Sequence, residues 1–129
     1  QKTADTTTYT NEIIALNPDK VVILIGINDL YNSVSQATSM ANISTVVTAL
    51  EAAGITVIIC KLLPCNEYNV NSFNNALVTN FGASRVKVDF YTDLVGAGTN
   101  INAAYSADGL HPNSACASVM SGILTSSNI

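Results

Sequence analysis

The sequence predicts an α/β protein in which a parallel β-sheet lies between two layers of helices, a three-layer sandwich. Short runs rich in β-branched residues alternate along the chain with segments whose apolar residues recur at helical spacing. Two of these runs are apolar throughout, which is typical of strands buried on both faces of a parallel sheet. The length of 129 residues and the apolar fraction of 48% favour one domain over residues 1–129.

The first helix and the first strand are separated by a short segment that terminates the helix. The apolar residues Ile13 and Ile14 predict a helix over Thr6–Leu16, and Pro18 prevents its continuation. The run Val21–Ile25 is short, β-branched and apolar, and is the first predicted strand.

The second helix and strand follow a polar stretch that ends at Ser35. Apolar residues at helical spacing predict a helix that ends near Ala53, where Gly54 is suited to a C-terminal cap. The apolar run Ile55–Cys60 is the second strand, which Pro64 separates from the next helix.

The C-terminal part contains two helices and one strand. Two Phe residues and one Leu recur at helical spacing, which predicts a helix over Ser72–Phe81. The run Arg85–Phe90 alternates apolar and polar residues, as expected of an edge strand. A loop over Thr92–Gly109 is long enough to have a function, and the last helix is predicted over Pro112–Thr125.

The most apolar strand, Val21–Ile25, is also the first in the chain. A strand of this composition belongs in the middle of a sheet, because as an edge it would expose unpaired backbone to aggregation. The pattern therefore predicts that one or two strands are missing on the N-terminal side.

The charge balance argues against several classes of partner. Charged residues make up 11% of the chain, the net charge is −4, and no basic stripe is present, which disfavours nucleic acid. No apolar run reaches the length of about 18 residues that a membrane span needs. A surface rich in Asn, Thr and Ser and poor in Lys is typical of exported proteins, so we expect a secreted or extracytoplasmic location.

The three cysteines do not form a metal-binding pattern. No C-x-x-C pair occurs and the chain has one histidine, so we expect neither a zinc site nor another cofactor. In an exported protein a Cys65–Cys116 disulfide is geometrically plausible, which would leave Cys60 as a buried thiol. Three buried, reduced cysteines are the alternative.

The residues Gly26-Ile27-Asn28-Asp29 follow the first strand directly. Ligands of open α/β sheets bind outside the carboxyl ends of the strands, where the Asn28 amide could donate to a developing oxyanion. Gly26 would allow a tight exit from the strand. A plain turn is the alternative, because Gly, Asn and Asp are common turn residues.

The only histidine of the chain lies in Asp108-Gly109-Leu110-His111-Pro112, just before the last helix. The three-residue spacing lets Asp108 accept a hydrogen bond from Nδ1 of His111, which leaves Nε2 free as a general base. A helix cap with an incidental histidine is the alternative.

The two motifs together resemble those of the SGNH hydrolases, also called the GDSL esterase/lipase superfamily. Leu62-Leu63-Pro64 and Val88-Asp89 are also similar to segments of that family. The resemblance implies a flavodoxin-like sandwich that hydrolyses esters with a Ser-His-Asp triad. It makes His111 the catalytic base, Asp108 its orienting acid and Asn28 an oxyanion donor, with Gly26 and Asp29 shaping the site.

The family's nucleophile lies in a Gly-Asp-Ser motif after an earlier strand, and this motif does not occur in the sequence. Ser33, Ser35 and Ser106 lie near the expected site, but none follows a predicted strand directly. We therefore expect the nucleophile in a segment outside this chain and no activity from this chain alone. The segment is either a second chain or a lost part of the protein; a non-catalytic binding domain, with carbohydrate as a candidate ligand, is the alternative.

The expected substrate is a small ester or an acetylated carbohydrate. Compact members of the superfamily often remove acetyl groups from carbohydrates, and the loop before Asp108 has no long apolar run for a fatty chain. Tyr105 in this loop is a candidate platform in the substrate pocket. No glycine-rich phosphate loop follows a strand, and no acidic cluster with a lysine occurs at strand ends, which disfavours a flavoprotein or a receiver domain.

Overall fold

The computed structural model describes residues 2–129, apart from the side chains of residues 7 and 8. Three parallel strands form one sheet in the order β1-β2-β3, and helices cover both of its faces, as the sequence predicts. The elements are α1 (Thr3–Ala15), β1 (Lys20–Ile23), α2 (Ile27–Tyr31), α3 (Gln36–Ala52), β2 (Thr56–Lys61), α4 (Asn71–Phe81), β3 (Val86–Asp89), α5 (Phe90–Leu94) and α6 (Ser114–Ser126).

The central strand β2 separates two apolar clusters. Val57 and Ile59 point into the cluster formed with α3 and α4, whereas Ile58 and Cys60 point into the cluster formed with α5 and α6. This alternation follows from the period of two along a strand. The continuously apolar sequence of β2 is thus explained by burial on both faces, and the predicted three layers are confirmed.

The two edges of the sheet differ in composition. The β3 edge carries the predicted alternation, and there the Arg85 guanidinium contacts the Glu51 carboxylate at 2.6 and 3.0 Å. The β1 edge exposes apolar side chains, with Val22 45% and Leu24 39% exposed. Within the described residues β1 pairs with β2 alone, in the register Lys20↔Thr56 to Ile23↔Ile59.

Two short helices are absent from the prediction. α2 lies in the polar stretch after β1, and α5 covers the last residue of the predicted third strand and the start of the predicted loop. The Asp89 side chain caps α5 by accepting from the N–H groups of Tyr91 and Thr92, while Phe90 and Leu94 are buried. The rest of that loop is partly ordered by an antiparallel bridge between Val95 and Ile101.

The predicted Cys65–Cys116 disulfide is wrong, because all three cysteines are free and buried. Cys65 belongs to the α3–α4 cluster and Cys116 to the α5–α6 cluster, so the two thiols lie on opposite faces of the sheet. Burial raises the pKa of Cys60 to about 11 and also raises that of Cys116. Both behave as small apolar core residues.

Candidate active site

Asp108 and His111 form a hydrogen-bonded pair in the loop before α6. Nδ1 of His111 lies 2.7 Å from Oδ2 of Asp108. The other carboxylate oxygen, Oδ1, accepts from the backbone N–H groups of Leu110 and His111 at 2.9 and 2.8 Å. The carboxylate therefore holds both the backbone of the turn and the ring, and the predicted contact between the two side chains is present.

The surroundings of Asp108 favour its charged form. The backbone N–H of His111, the His111 ring and the backbone N–H of Leu110 all donate to the carboxylate, and they hold its pKa well below the usual value. Because the pKa is lowered in the folded state, the carboxylate stays charged as the pH falls from neutral through about 4. Asp108 can thus orient an imidazole, and balance its charge, over a wide pH range.

The His111 ring is open to solvent on its other side. Its side chain is 77% exposed and that of Asp108 is 55% exposed. With Nδ1 engaged by the carboxylate, Nε2 is the nitrogen available to a reacting group. The exposure leaves room for a substrate or another segment at Nε2.

A second segment, after β2, supports the turn that carries His111. The backbone N–H of Asn66 donates to the Gly109 carbonyl at 2.8 Å. Gly109 has a φ of 79°, and a Cβ at this position would lie 2.3 Å from Nδ2 of Asn66. Only glycine is suited to this position, which explains the residue between Asp108 and His111.

Gly26 shapes the exit from β1 through a close contact with α4. A Cβ on Gly26 would lie 2.4 Å from the ring of Phe73, and its φ of 129° disfavours any other residue. The chain then turns at once into α2, so that Asn28 lies in the first turn of this helix. Gly26 thus allows the tight exit that the sequence predicts.

The Asn28 side chain is half-buried at the carboxyl end of β1. Its backbone carbonyl accepts from Asn32, but its amide makes no hydrogen bond to another side chain or to the backbone in the described part of the protein. Such an amide is free to donate to a ligand, as expected of an oxyanion donor.

Asp29, the neighbour of Asn28, is buried and is 1% exposed. Its carboxylate accepts from the backbone N–H of Thr3 at 2.8 Å and from the hydroxyls of Thr3 and Ser39. These donors belong to the start of α1 and to α3, so Asp29 ties α2 to both helices. Asp29 therefore fixes the position of the helix that carries Asn28.

A cavity of about 220 Å³ joins the two motifs. One wall is Leu24, Ile25 and Ile27, which flank Gly26 at the end of β1. The lining also includes Leu110 and Pro112, which flank His111, and residues 62–65. The cavity is therefore lined by the sequence neighbours of Asn28 and His111, while these two residues themselves are not among its lining residues.

The segment 62–65 is fixed by a residue that the sequence analysis does not single out. The buried Asn74 of α4 accepts from the Leu62 N–H at 2.7 Å and donates to the Leu62 carbonyl at 3.1 Å. The sequence indicated a special role for Asn74 in one way, because it is a polar residue on the buried face of the predicted helix. Nothing in the sequence indicated the contact of Asn66 with Gly109.

Tyr105 does not line this cavity. Its half-buried side chain packs against the cluster beneath α6, and its carbonyl accepts from the Asn113 N–H. The expected role of Tyr105 as a platform in this pocket is therefore not supported by its position.

The three serines considered as nucleophiles lie outside any strand-to-helix turn. Ser33 and Ser35 lie between α2 and α3, and the Ser35 hydroxyl caps α3 by accepting from the Thr38 N–H. The Ser106 hydroxyl is buried in the turn that carries His111. Among the described residues, no group of three His, Cys, Asp or Glu side chains is placed to bind a metal ion.

A model of the GDSL-like lipase/acylhydrolase family matches residues 2–117. The chain belongs to this family. The match covers both motifs of the cleft, and it agrees with the resemblance inferred from the residues. No curated protein sequence matches the chain significantly. No helix in the part of this GDSL-family chain that the structure describes is long and apolar enough to cross a membrane.

Solved structures share the fold of this GDSL-family chain. A proposed acylhydrolase from Bacteroides fragilis is 25% identical, with a TM-score of 0.88 over 97% of this chain and 68% of its own. An acetyl-xylooligosaccharide esterase from Geobacillus is 18% identical, with a TM-score of 0.81 over 98% and 67%. The esterase EstA from a Pseudoalteromonas species is 16% identical, with a TM-score of 0.76 over 98% and 70%. The chain thus spans about two thirds of the length of these proteins.

Proposed function

We propose that this chain supplies the base, its orienting acid and one oxyanion donor to a serine esterase that removes short acyl groups. The observation that carries the proposal is the 2.7 Å contact between Asp108 and the exposed ring of His111, beside the apolar cleft that begins at the end of β1. Family membership supports ester hydrolysis as the reaction class.

The proposed reaction uses both nitrogens of the His111 ring. Nε2 takes the proton of a serine hydroxyl as the oxygen attacks the ester carbonyl carbon, and then gives that proton to the leaving alkoxide. Water repeats the two steps and releases the acid. Asp108 stays ionised and stabilises the imidazolium through Nδ1–H. The Asn28 amide donates to the oxyanion that forms on the carbonyl oxygen.

We further propose that the serine belongs to a segment outside the 129 residues. The exposed β1 edge supports this idea, because Val22 and Leu24 lie in an apolar groove of about 220 Å³ between β1, α1 and α3. A parallel strand beside β1 would satisfy the unpaired backbone groups of this edge and cover its side chains. The carboxyl end of that strand would lie next to Gly26 and Asn28. A serine following it would therefore approach the cleft.

The size and lining of the cleft favour a short acyl group. About 220 Å³ is less than the volume of typical pockets for drug-sized ligands, and all nine lining residues are apolar or cysteine. We therefore propose acetyl or a similarly short group as the acyl part. A carbohydrate is the candidate alcohol part, so the substrate would be an acetylated sugar, and the similarity to an acetyl-xylooligosaccharide esterase supports this choice.

The proposal is tested with the assembled enzyme, which is the protein that contains both this chain and the serine-bearing segment. His111→Ala should lower the turnover of p-nitrophenyl acetate by several orders of magnitude, because the members of a triad act as a unit. The thermal unfolding midpoint should not change, since the ring is mostly exposed. Near-normal hydrolysis by the folded variant would contradict the assignment of the base.

A further inference from the structure

The side chains of Asp108 and His111 are exposed, but the turn that carries them has a buried centre. Exposed ion pairs contribute little and their side chains lose entropy when held, so the pair does not fix its own geometry. A productive triad nevertheless needs the ring in one orientation and one tautomer. The backbone beneath the pair must therefore fix the orientation of the two side chains.

Ser106 lies at the centre of this backbone. Its hydroxyl oxygen accepts from the Gly109 N–H at 3.0 Å. The hydroxyl is also 2.9 Å from the carbonyl of His111 and 3.1 Å from Oδ1 of Asp108, so its proton has two alternative acceptors. The residue is 4% exposed. One hydroxyl thus contacts three of the four residues from Asp108 to His111.

These contacts separate the roles of the two oxygens of Asp108. Oδ1 faces Ser106 and the backbone N–H groups of Leu110 and His111, which leaves Oδ2 for the ring of His111. A rotation of the carboxylate would break the contacts of both oxygens at once. The Ser106 hydroxyl contacts Oδ1, and because the carboxylate is rigid, this contact also restrains Oδ2, the oxygen that binds Nδ1.

We propose that Ser106 is a positioning residue that fixes the orientation and the Nδ1–H tautomer of His111. It acts through the carboxylate of Asp108 and through the main chain of the turn. The same contacts make it unsuited to act as a nucleophile, because its oxygen accepts from Gly109 and its side chain is buried. The effect of Ser106 on turnover rests on the proposed function. Its effect on the orientation of the His111 ring does not.

The test uses the fact that His111 is the only histidine of the chain. A ¹⁵N-histidine label in this chain gives imidazole signals from one residue, even when the remaining part of the protein is present without label. At alkaline pH the native protein should show the neutral Nδ1–H tautomer almost alone. Ser106→Ala should give a mixture of both tautomers. Ser118→Ala is the matched control, since its hydroxyl donates to a backbone carbonyl within α6, away from the turn.

Two further measurements keep the proposal falsifiable. In the native protein the Gly109 amide should exchange with solvent at least about 10-fold more slowly than in Ser106→Ala, because its acceptor is lost. In the assembled enzyme Ser106→Ala should lower kcat about 10²-fold with KM unchanged, the scale of a small misplacement of a catalytic group.

A single Nδ1–H tautomer in folded Ser106→Ala would overturn the proposal. If this variant fails to fold, unprotected exchange of the Gly109 amide in the native protein would overturn it as well. A Ser106→Ala protein that loses the tautomer while His111→Ala keeps full activity would instead contradict the proposed function and leave the positioning role supported.

Discussion

Asp29 and Asp108 each lie in one of the two motifs of the cleft, and each accepts hydrogen bonds from backbone N–H groups and hydroxyls. Asp29 uses both oxygens for Thr3 and Ser39 and is buried. Asp108 uses one oxygen for the turn and keeps the other for the exposed ring of His111. The two aspartates therefore differ in whether one carboxylate oxygen is left for a titratable partner, and this difference is what the proposed role of Asp108 as an orienting acid depends on.

This comparison is tested most strongly by replacing each aspartate with asparagine. In the assembled enzyme, Asp108→Asn should lower kcat by about 10³–10⁴, because an amide no longer fixes the tautomer of His111. Its thermal unfolding midpoint should change little, since the amide oxygen of asparagine can still accept from the backbone N–H groups of Leu110 and His111. Turnover is measured with p-nitrophenyl acetate and unfolding by circular dichroism.

Asp29→Asn is the matched variant with the opposite expected result. The free energy of unfolding should fall by about 2–4 kcal/mol, because an amide NH₂ group would face donors in a buried site. The pH dependence of kcat in the remaining folded fraction should be unchanged. The comparison would be broken if Asp29→Asn abolished turnover without a loss of stability, or if Asp108→Asn had the larger effect on unfolding.

The role of Asn28 gives a smaller expected effect. Asn28→Ala should lower kcat by about 10²–10³ with little change in KM, if its amide serves only the transition state. Asn80→Ala is a suitable control, because the Asn80 amide donates to the Ala76 carbonyl on α4, away from the cleft. A raised KM with kcat preserved would make Asn28 a substrate-binding residue instead.

The strands and the long helices were predictable from sequence because their signals are local and periodic. β2 and α3 are examples, since an apolar run and a 3.6-residue spacing each identify one structure. α2 was not predictable in this way. Its five residues include Asn28 and Asp29, which favour turns, and the helix is held by the contacts of Asp29 with Thr3 and Ser39.

The candidate site was predictable to the extent that it lies within short motifs. Asp108 and His111 are three residues apart, so their contact follows from local geometry. The contact of Asn66 with Gly109 joins segments from different elements, and no sequence pattern encodes it. Asn74 stands out in the sequence as a polar residue on a buried helix face, but its partner Leu62 does not. The predicted disulfide failed for the same reason, because the sequence did not show that Cys65 and Cys116 lie on opposite faces of the sheet.

His111 of this chain is proposed to activate a serine that lies outside the 129 residues. The most direct test is labelling with a fluorophosphonate probe, followed by mass spectrometry of the labelled peptide. The 129-residue chain alone should remain unlabelled and should not hydrolyse p-nitrophenyl acetate. The assembled enzyme should be labelled at the serine of its Gly-Asp-Ser motif, and His111→Ala should abolish this labelling. A probe attached to Ser33, Ser35, Ser106 or another serine of this chain would contradict the claim.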